Sequence, residues 1–434
     1  MLIPYTRQTL PNGLDVIVHE DHGLPLVAVN LWYHVGSKNE VRGRTGFAHL
    51  FEHLMFEGSA HHDSGFFAPL QRAGASLNGS TSADRTNYWE VVPVGALELA
   101  LWLESDRMGH LLPALTTAKF ETQRDVVLNE RRQNYENRPY GMASIAVADA
   151  LYDAAHPYSW PTIGYPADLH AASLDDVHAF FRTYYHPGNA SLVLAGDIDT
   201  SEAMALAERY FGDIPAGPPV DRVVAAEPSL TENRRLSLED RVELPRLYLA
   251  WHSPALFAHD DAALDLAADI LGGGKTSRLY RRMVVERRLA TEVTAVQASR
   301  ELTSMFQVVA TAAPGVTLDT LQAAVLDEMA ALCEGGVDED ELSRSRVQTE
   351  AHFVYRLQTV GGFSGKSDQL NAYNTYRGDP GYLVHDRARY VEASADDLRR
   401  AAVQWLRRPS VALGVVPMGQ RQLALSDATP AVVA

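Results

Sequence analysis

Cysteine and basic residues are both scarce in this sequence of 434 residues. Cys333 is the only cysteine, so neither an intrachain disulfide nor a cysteine-rich zinc site can form. Lys and Arg total 38 against 55 Asp and Glu, which gives a net charge of -17. Because a surface of that sign repels phosphate groups and anionic lipids, we expect no nucleic-acid partner. A neutral or cationic polypeptide partner remains compatible with it.

Long apolar runs are also missing. No uninterrupted run approaches the roughly 20 residues that a membrane-spanning helix needs, so we expect no membrane span. The first residues, MLIPYTRQTLPNG, lack the basic segment and following apolar segment of a signal peptide. We therefore expect either a cytoplasmic chain or one from which a signal peptide has been removed.

A pattern of helix and strand occurs twice along the chain. Ser173 is a predicted helix N-cap with an acidic residue three positions on, and a buried strand is predicted at Ser191–Ala195. Ser394 begins the same pattern about 220 residues later, again followed by an apolar run, Val411–Val416. This spacing is close to half the chain and indicates a duplicated domain.

Strands and helices mix within each half without a regular strand–helix–strand alternation. We therefore predict an α+β fold of two similar domains, each a mixed and mostly antiparallel sheet packed with helices. The predicted boundaries are a first domain at 1–215, a linker rich in Pro and Ala at 216–235, and a second domain at 236–434.

Chemistry is concentrated in the segment Gly46–Phe56, whose pattern predicts a helix. His49 and His53 stand four residues apart, which places both imidazoles on one helix face where they can bind one metal ion. Glu52 shares that face and can take the proton of a water that the metal acidifies. The alternative is a pair of structural histidines with Glu52 as an ion-pair partner. The H-x-x-E-H register, which is the inverzincin signature, favours the metal site.

A catalytic zinc site normally has three protein ligands, so a third must come from elsewhere. A long helix is predicted over Thr117–Tyr135, and Glu130 lies four and three residues after Val126 and Val127 on its expected inward face. Gln123 lies two turns earlier on the same stripe. A surface role for Glu130 is the alternative, and its position beside apolar residues favours the ligand role only modestly.

These motifs together resemble the pitrilysin family of zinc peptidases (M16), and in particular the subfamily of the mitochondrial processing peptidases and their bacterial relatives. The resemblance covers nearly the whole chain. Its further marks are the Leu-Pro-Asn-Gly start, Ala75–Thr81, Gly272–Gly274 with Ser277–Leu279, and the duplication.

The resemblance implies that His49, His53 and Glu130 bind one zinc ion per chain and that Glu52 is the general base. It also implies that each chain forms half of a clamshell chamber. Ala75–Thr81 would be an edge strand beside the metal, to which an extended peptide substrate adds as a further strand.

The implied substrate contacts on this strand are Asn78, Gly79 and Ser80. For Asn78 and Thr81, a purely structural role at a turn or strand end is an equally good interpretation.

The chain departs from the family pattern at two places. Gln123 stands where many members have a second acidic residue, seven positions before the ligand Glu; it can still orient a ligand by hydrogen bonding. Relatives often carry an Arg and a Tyr in the second half that reach the substrate, and here those positions are Val284 and Thr291. By alignment, Leu264, Ala267 and Ala268 replace the metal motif in the second copy. We therefore expect a heterodimer whose homologous partner supplies the Arg and Tyr.

The predicted function is zinc-dependent endoproteolysis of short or unfolded polypeptides. The alternatives are a catalytically silent scaffold or binding subunit of the same fold, and a self-sufficient homodimeric peptidase. Exported relatives favour the periplasm, with the cytoplasm as the alternative. His61-His62-Asp63 is metal-like but lies in a polar turn, where we expect it to be solvated. Gly272–Thr276 is expected to be a helix end rather than a phosphate-binding loop.

Overall fold

Two six-stranded sheets, each packed with helices, organise the computed structural model, which describes residues 2–228 and 230–433. The strands of the first sheet are β1 (Thr6–Thr9), β2 (Asp15–Glu20), β3 (Leu26–Tyr33), β4 (Ser76–Thr81), β5 (Thr86–Pro93) and β6 (Ala190–Gly196). Those of the second are β7 (Arg234–Asp240), β8 (Arg246–Ser253), β9 (Ala290–Ala298), β10 (Ser304–Ala312), β11 (Val411–Pro417) and β12 (Thr429–Pro430).

Five of the six strands in each sheet follow the same topology. The strand orders are β1-β2-β6-β3-β5-β4 and β12-β7-β11-β8-β10-β9, and the outer strands differ, because β1 pairs antiparallel with β2 whereas β12 pairs in parallel with β7. In each sheet a strand from late in the half, β6 or β11, pairs in parallel with an early strand, β2 or β7, and antiparallel with β3 or β8. This confirms the predicted α+β fold of two similar domains.

The helices of the first half are α1 (Phe47–Leu54), α2 (Phe67–Arg72), α3 (Leu97–His110), α4 (Thr117–Arg131), α5 (Ala143–Leu151), α6 (Pro166–Ala171), α7 (Leu174–Tyr184) and α8 (Thr200–Phe211). Those of the second half are α9 (Asp261–Gly272), α10 (Leu318–Gly335), α11 (Glu339–Arg356), α12 (Lys366–Arg377), α13 (Leu383–Val391) and α14 (Ala395–Leu406). No helix in the described part of the chain is long and apolar enough to cross a membrane.

The duplicated helix starts are the same capping box. The Ser173 hydroxyl accepts a hydrogen bond from the backbone N–H of Asp176, and the Asp176 carboxylate accepts one from the backbone N–H of Ser173. Ser394 and Asp397 form the same pair of hydrogen bonds. Each cap satisfies two backbone donors that the helix itself leaves unpaired. The sequence pattern that indicated the duplication is therefore a local structural device used twice.

The compact units exchange segments along the chain, unlike the contiguous domains expected. One unit comprises residues 2–130, 161–223 and 352–385; the other comprises the remaining described residues. Helix α12, from the second half, packs on β3 and β6 of the first sheet, and α5, from the first half, packs on β8 and β11 of the second. Within the expected linker, residues 216–228 and 230–233 form neither helix nor strand, and Ser229 lies outside the described residues. Arg234 and Arg235, also expected in the linker, begin β7 instead.

Polar contacts explain why α12 belongs to the first sheet. The Asp368 carboxylate accepts a hydrogen bond of 2.9 Å from the Trp32 indole, and the Asn371 amide donates one of 2.8 Å to the Asn30 carbonyl. Hydrophobic periodicity does not report such contacts, because the helix face that meets the sheet is polar. The exchange was therefore not visible in the sequence.

Two buried histidines lie in the second unit. His252 on β8 is 5% exposed, and its ring centroid lies 5.2 Å from that of Tyr152, which stacks on His156. Burial, helped by the neighbouring His156 and Arg408 and opposed by the Leu151 carbonyl and Asp153, lowers the pKa of His252 to about 4. His252 is therefore neutral in the folded protein at pH 7.

We predict that acid destabilises this unit through His252. Because its pKa is about 4 when folded and ordinary when unfolded, the unfolded state binds the extra proton, and stability is lost as the pH falls from about 6.5 towards 4. The loss between pH 8 and pH 5 should be about 2 kcal/mol. In urea unfolding with chelator present, His252→Asn should remove this part of the pH dependence, whereas the exposed control His259→Asn should keep it. Parallel pH profiles for His252→Asn and the parent would contradict the assignment.

Candidate metal centre

Helix α1 begins at a constrained turn. Gly46, its N-cap, has a φ of +91°, and a side chain there would meet the Gly164 backbone at 3.0 Å. The buried Glu40 carboxylate accepts hydrogen bonds of 2.9 Å from the backbone of Gly46 and of Ala48. Burial raises the pKa of Glu40 to about 8, although the amide hydrogen bonds oppose that rise. Glu40 fixes the start of the helix, a role that could not be predicted from the sequence because the contact follows no helical or strand period.

The three predicted ligands converge within one unit. Nε2 of His49 lies 3.6 Å and Nε2 of His53 lies 3.4 Å from the same Glu130 carboxylate oxygen. One ligand atom from each residue lies within 4.8 Å of the other two. Two imidazoles and one carboxylate at this spacing form a donor set that suits zinc and leaves a further coordination position open.

The pKa values of the two imidazoles shift in opposite directions. Burial, together with the adjacent His53, lowers the pKa of His49 to about 4. Burial also acts to lower the pKa of His53, but its hydrogen bond to Glu130 and the nearby Glu52 raise it above its ordinary value. A neutral imidazole is the form that binds a metal, and His49 is held in that form.

Glu52 lies beside the ligands at the wall of a cavity. The cavity has a volume of about 540 Å³, and Phe56 and Phe67 give it an apolar lining next to His53. Burial raises the pKa of Glu52, partly offset by the Thr81 hydroxyl and the charge of His53. Glu52 is not among the three residues that converge as ligands, and a carboxylate at the cavity wall can exchange protons with a molecule in the cavity.

Helix α4 orients its residues largely, but not entirely, as expected. Val127 is fully buried, whereas Val126 is 40% exposed, so the prediction of an inward Val126 was wrong. The buried Gln123 donates a hydrogen bond of 2.8 Å to a carboxylate oxygen of Glu57. Glu57 lies four residues after His53. Its carboxylate lies next to Gln123, the position at which many family members have an acidic residue. This role of Glu57 was not predicted, although its spacing from His53 was a usable signal.

We predict that Gln123→Glu lowers zinc affinity about tenfold, because it sets a second carboxylate against Glu57 beside the ligands. The double variant Gln123→Glu/Glu57→Gln should restore the affinity, since it keeps one carboxylate and one amide in this pair. Competition titration against a chromophoric chelator measures both. Unchanged or tighter binding by the single variant would show that the Glu57–Gln123 contact does not position the site.

Strand β4 is the edge strand of the first sheet. A side chain at Gly79 would lie 3.1 Å from the rings of Phe56 and Tyr88, so it would crowd the cavity residue Phe56. The Ser80 hydroxyl donates to Asn87 at 2.6 Å, and the exposed Asn78 side chain accepts from the Gly79 amide at 2.9 Å. The Asn78 and Ser80 side chains therefore have partners within the sheet, and the strand's main chain is what it offers to a ligand.

The second copy of the metal helix is apolar. Leu264, Ala267 and Ala268 are buried in α9, and the helix ends at Gly272, as expected for the glycine run. Val284 is half-buried against the core of the second unit, and Thr291 is exposed on β9. None of the five residues Leu264, Ala267, Ala268, Val284 and Thr291 has a charge, or an imidazole or carboxylate that could bind zinc.

Two family models match the chain. Residues 15–157 match the model described as insulinase, peptidase family M16, and residues 171–348 match the one described as peptidase M16 inactive domain. The chain belongs to peptidase family M16. The second of these M16 models matches the region that contains the apolar helix α9.

Relatives in family M16 match over most of the chain. Zinc protease PqqE of Helicobacter pylori is 28% identical over 407 residues, which are 92% of this chain and 89% of that protein. The beta subunit of the mitochondrial-processing peptidase of Caenorhabditis elegans is 27% identical over 267 residues, 61% of this chain and 56% of that protein. The name of the Helicobacter pylori relative makes zinc a feature of the family.

Solved structures share the fold. The crystal structure of a protease from Helicobacter pylori has a TM-score of 0.86 and 28% identity, and the match covers 96% of this chain and all of that one. The periplasmic protease PqqL of Escherichia coli has a TM-score of 0.80 at 18% identity, and the match covers 98% of this chain and 50% of that chain. The latter likeness is one of fold alone.

Proposed function

We propose that this M16 chain is a zinc-dependent endopeptidase that cleaves peptides or unfolded polypeptides. The observation that carries the proposal is the convergence of ligand atoms of His49, His53 and Glu130 within 4.8 Å, with His53 also lining a cavity whose wall includes Glu52. Metal-assisted hydrolysis of an amide requires metal ligands and a nearby base. Here two imidazoles and one carboxylate are the ligands, and the adjacent Glu52 carboxylate is the base.

The residues of the chain divide the reaction between them. Zinc supplies Lewis acidity when bound by His49, His53 and Glu130, which acidifies water and polarises a substrate carbonyl. Glu52 takes the proton from the attacking water and returns it to the leaving amine. The main chain of β4 holds an extended substrate at the sheet edge, and Asn78, Gly79 and Ser80 are the proposed contact residues. Main-chain pairing of this kind tolerates many side chains, which suits unfolded substrates.

We further propose that a homologous M16 partner completes the site. Val284 and Thr291 stand at the positions where the family resemblance leads us to expect Arg and Tyr, and neither can donate a charged or phenolic hydrogen bond to a substrate. The relative from Caenorhabditis elegans is named as a subunit, and this chain matches half the length of PqqL. Both facts support a paired arrangement.

The test measures zinc content and cleavage of a mixed set of quenched fluorescent peptides, first by the chain alone and then with a homologous chain that carries Arg and Tyr. Bound zinc with cleavage only in the presence of the partner supports both proposals. Cleavage by the chain alone supports the peptidase and rejects the required partner. Absence of both zinc and cleavage in every combination rejects the peptidase and leaves a silent scaffold.

We propose the periplasm as the compartment, which is also that of PqqL, and the cytoplasm as the alternative. Fractionation of cells that express the full-length gene product distinguishes the two.

A further inference from the structure

A second cluster of metal-binding side chains lies in the first unit, away from the ligands already described. Asp106 and His110 stand four residues apart on α3, and His61 reaches them from the loop after α1. One ligand atom from each of the three lies within 4.8 Å of the other two. We propose that His61, Asp106 and His110 bind a second divalent transition metal ion such as zinc.

The carboxylate at the centre of this cluster is buried and oriented. The Asp106 side chain is 3% exposed, and one of its oxygens accepts hydrogen bonds from the Ser59 hydroxyl and from the backbone N–H of His61 at 3.2 Å. Its other oxygen lies within hydrogen-bond distance, 2.5 Å, of Nδ1 of His61, a contact that a metal ion bound between the two would replace. Hydrogen bonds that orient a carboxylate in this way are typical of metal sites.

The two imidazoles have the arrangement seen in the first centre. The ring centroids of His61 and His110 lie 4.9 Å apart with an interplanar angle of 83°, and those of His49 and His53 lie 4.9 Å apart at 81°. A simple ion pair between His61 and Asp106 would not require His110 at this distance. Two nitrogen donors and one carboxylate in this geometry suit zinc, cobalt or nickel better than calcium or magnesium. From the sequence we expected His61 only to be solvated. Its side chain is exposed, but Asp106 and His110 also lie close to it.

The loop that carries His61 also borders the catalytic cavity. The backbone N–H of Ala60 donates to the carbonyl of His110 at 3.0 Å, which joins the loop to the end of α3. Ser64 and Gly65, further along the loop, line the cavity that contains Glu52 and His53. A metal ion held by His61 and His110 would further join this loop to the end of α3 and so stabilise one wall of the cavity.

Zinc stoichiometry tests the proposal on the full chain, after metal removal by a chelator and dialysis. We expect the parent to bind two zinc ions and both His61→Ala and His110→Ala to bind one. His170→Ala, which removes another exposed histidine, should still bind two. Because His61 and His110 are exposed, these substitutions should leave the circular dichroism spectrum unchanged.

Variants of the first centre separate the two sites. His53→Ala should retain one zinc ion, and His53→Ala/His110→Ala should retain none. A parent that saturates at one zinc ion, or a His110→Ala variant that binds as many ions as the parent, would overturn the proposal. The outcome is independent of peptide cleavage, since an inactive chain that binds two ions would still support this site.

Discussion

Glu52→Gln is expected to lower kcat/KM for peptide cleavage by roughly 10²- to 10⁴-fold, the contribution usual for a general acid–base group. The amide has nearly the shape of the carboxylate but cannot take a proton from water or return it to the amine. Because Glu52 is not one of the three converging ligands, zinc content should stay at the parent value. Cleavage is measured under whichever condition, alone or with a partner, the parent is active.

The matched control for Glu52→Gln is Glu57→Gln. This variant removes the same charge from the same cavity wall, five residues further along the chain. Since the Glu57 carboxylate contacts Gln123 and has no proposed part in the proton transfer, its loss should lower kcat/KM by no more than about tenfold. Equal losses in the two variants would show that the cavity needs negative charge in general and that Glu52 has no specific role. Full activity in Glu52→Gln would remove it from the mechanism.

Local periodic patterns explain how much could be predicted from the sequence. His49 and His53 share a helix face because they are four residues apart, and the capping boxes at Ser173 and Ser394 are four-residue motifs. Each of these motifs is determined within a few residues, so it can be recognised in the sequence without knowledge of the tertiary structure. Glu130 was reached by the same reasoning, supported by the family resemblance.

Contacts between distant segments explain what could not be predicted. The Glu40 carboxylate at the start of α1 and the packing of α12 on the first sheet are polar contacts with no periodic signature. Val126 was misplaced because the buried stripe of α4 runs through Gln123, Val127 and Leu128, and Val126 lies outside it. The cluster of His61 with Asp106 was missed because the buried carboxylate comes from α3, far from the histidine in sequence.

Glu130→Gln is expected to lower zinc affinity at the first centre by more than the 10- to 100-fold typical of residues behind the ligands, because it removes a charged ligand itself. The glutamine keeps the volume of the side chain and a carbonyl oxygen but loses the charge that faces both His49 and His53. Zinc at 1,000 times its dissociation constant stabilises a protein by about 4 kcal/mol, and the variant should lose most of that stabilisation. Thermal unfolding with and without zinc measures it, in a His110→Ala background so that only this centre contributes. Glu121→Gln, an exposed substitution on the same helix α4, should respond to zinc like the parent. If Glu130→Gln also responded like the parent, His49 and His53 would have to bind zinc with another third ligand, and the assignment of α4 to the centre would fail.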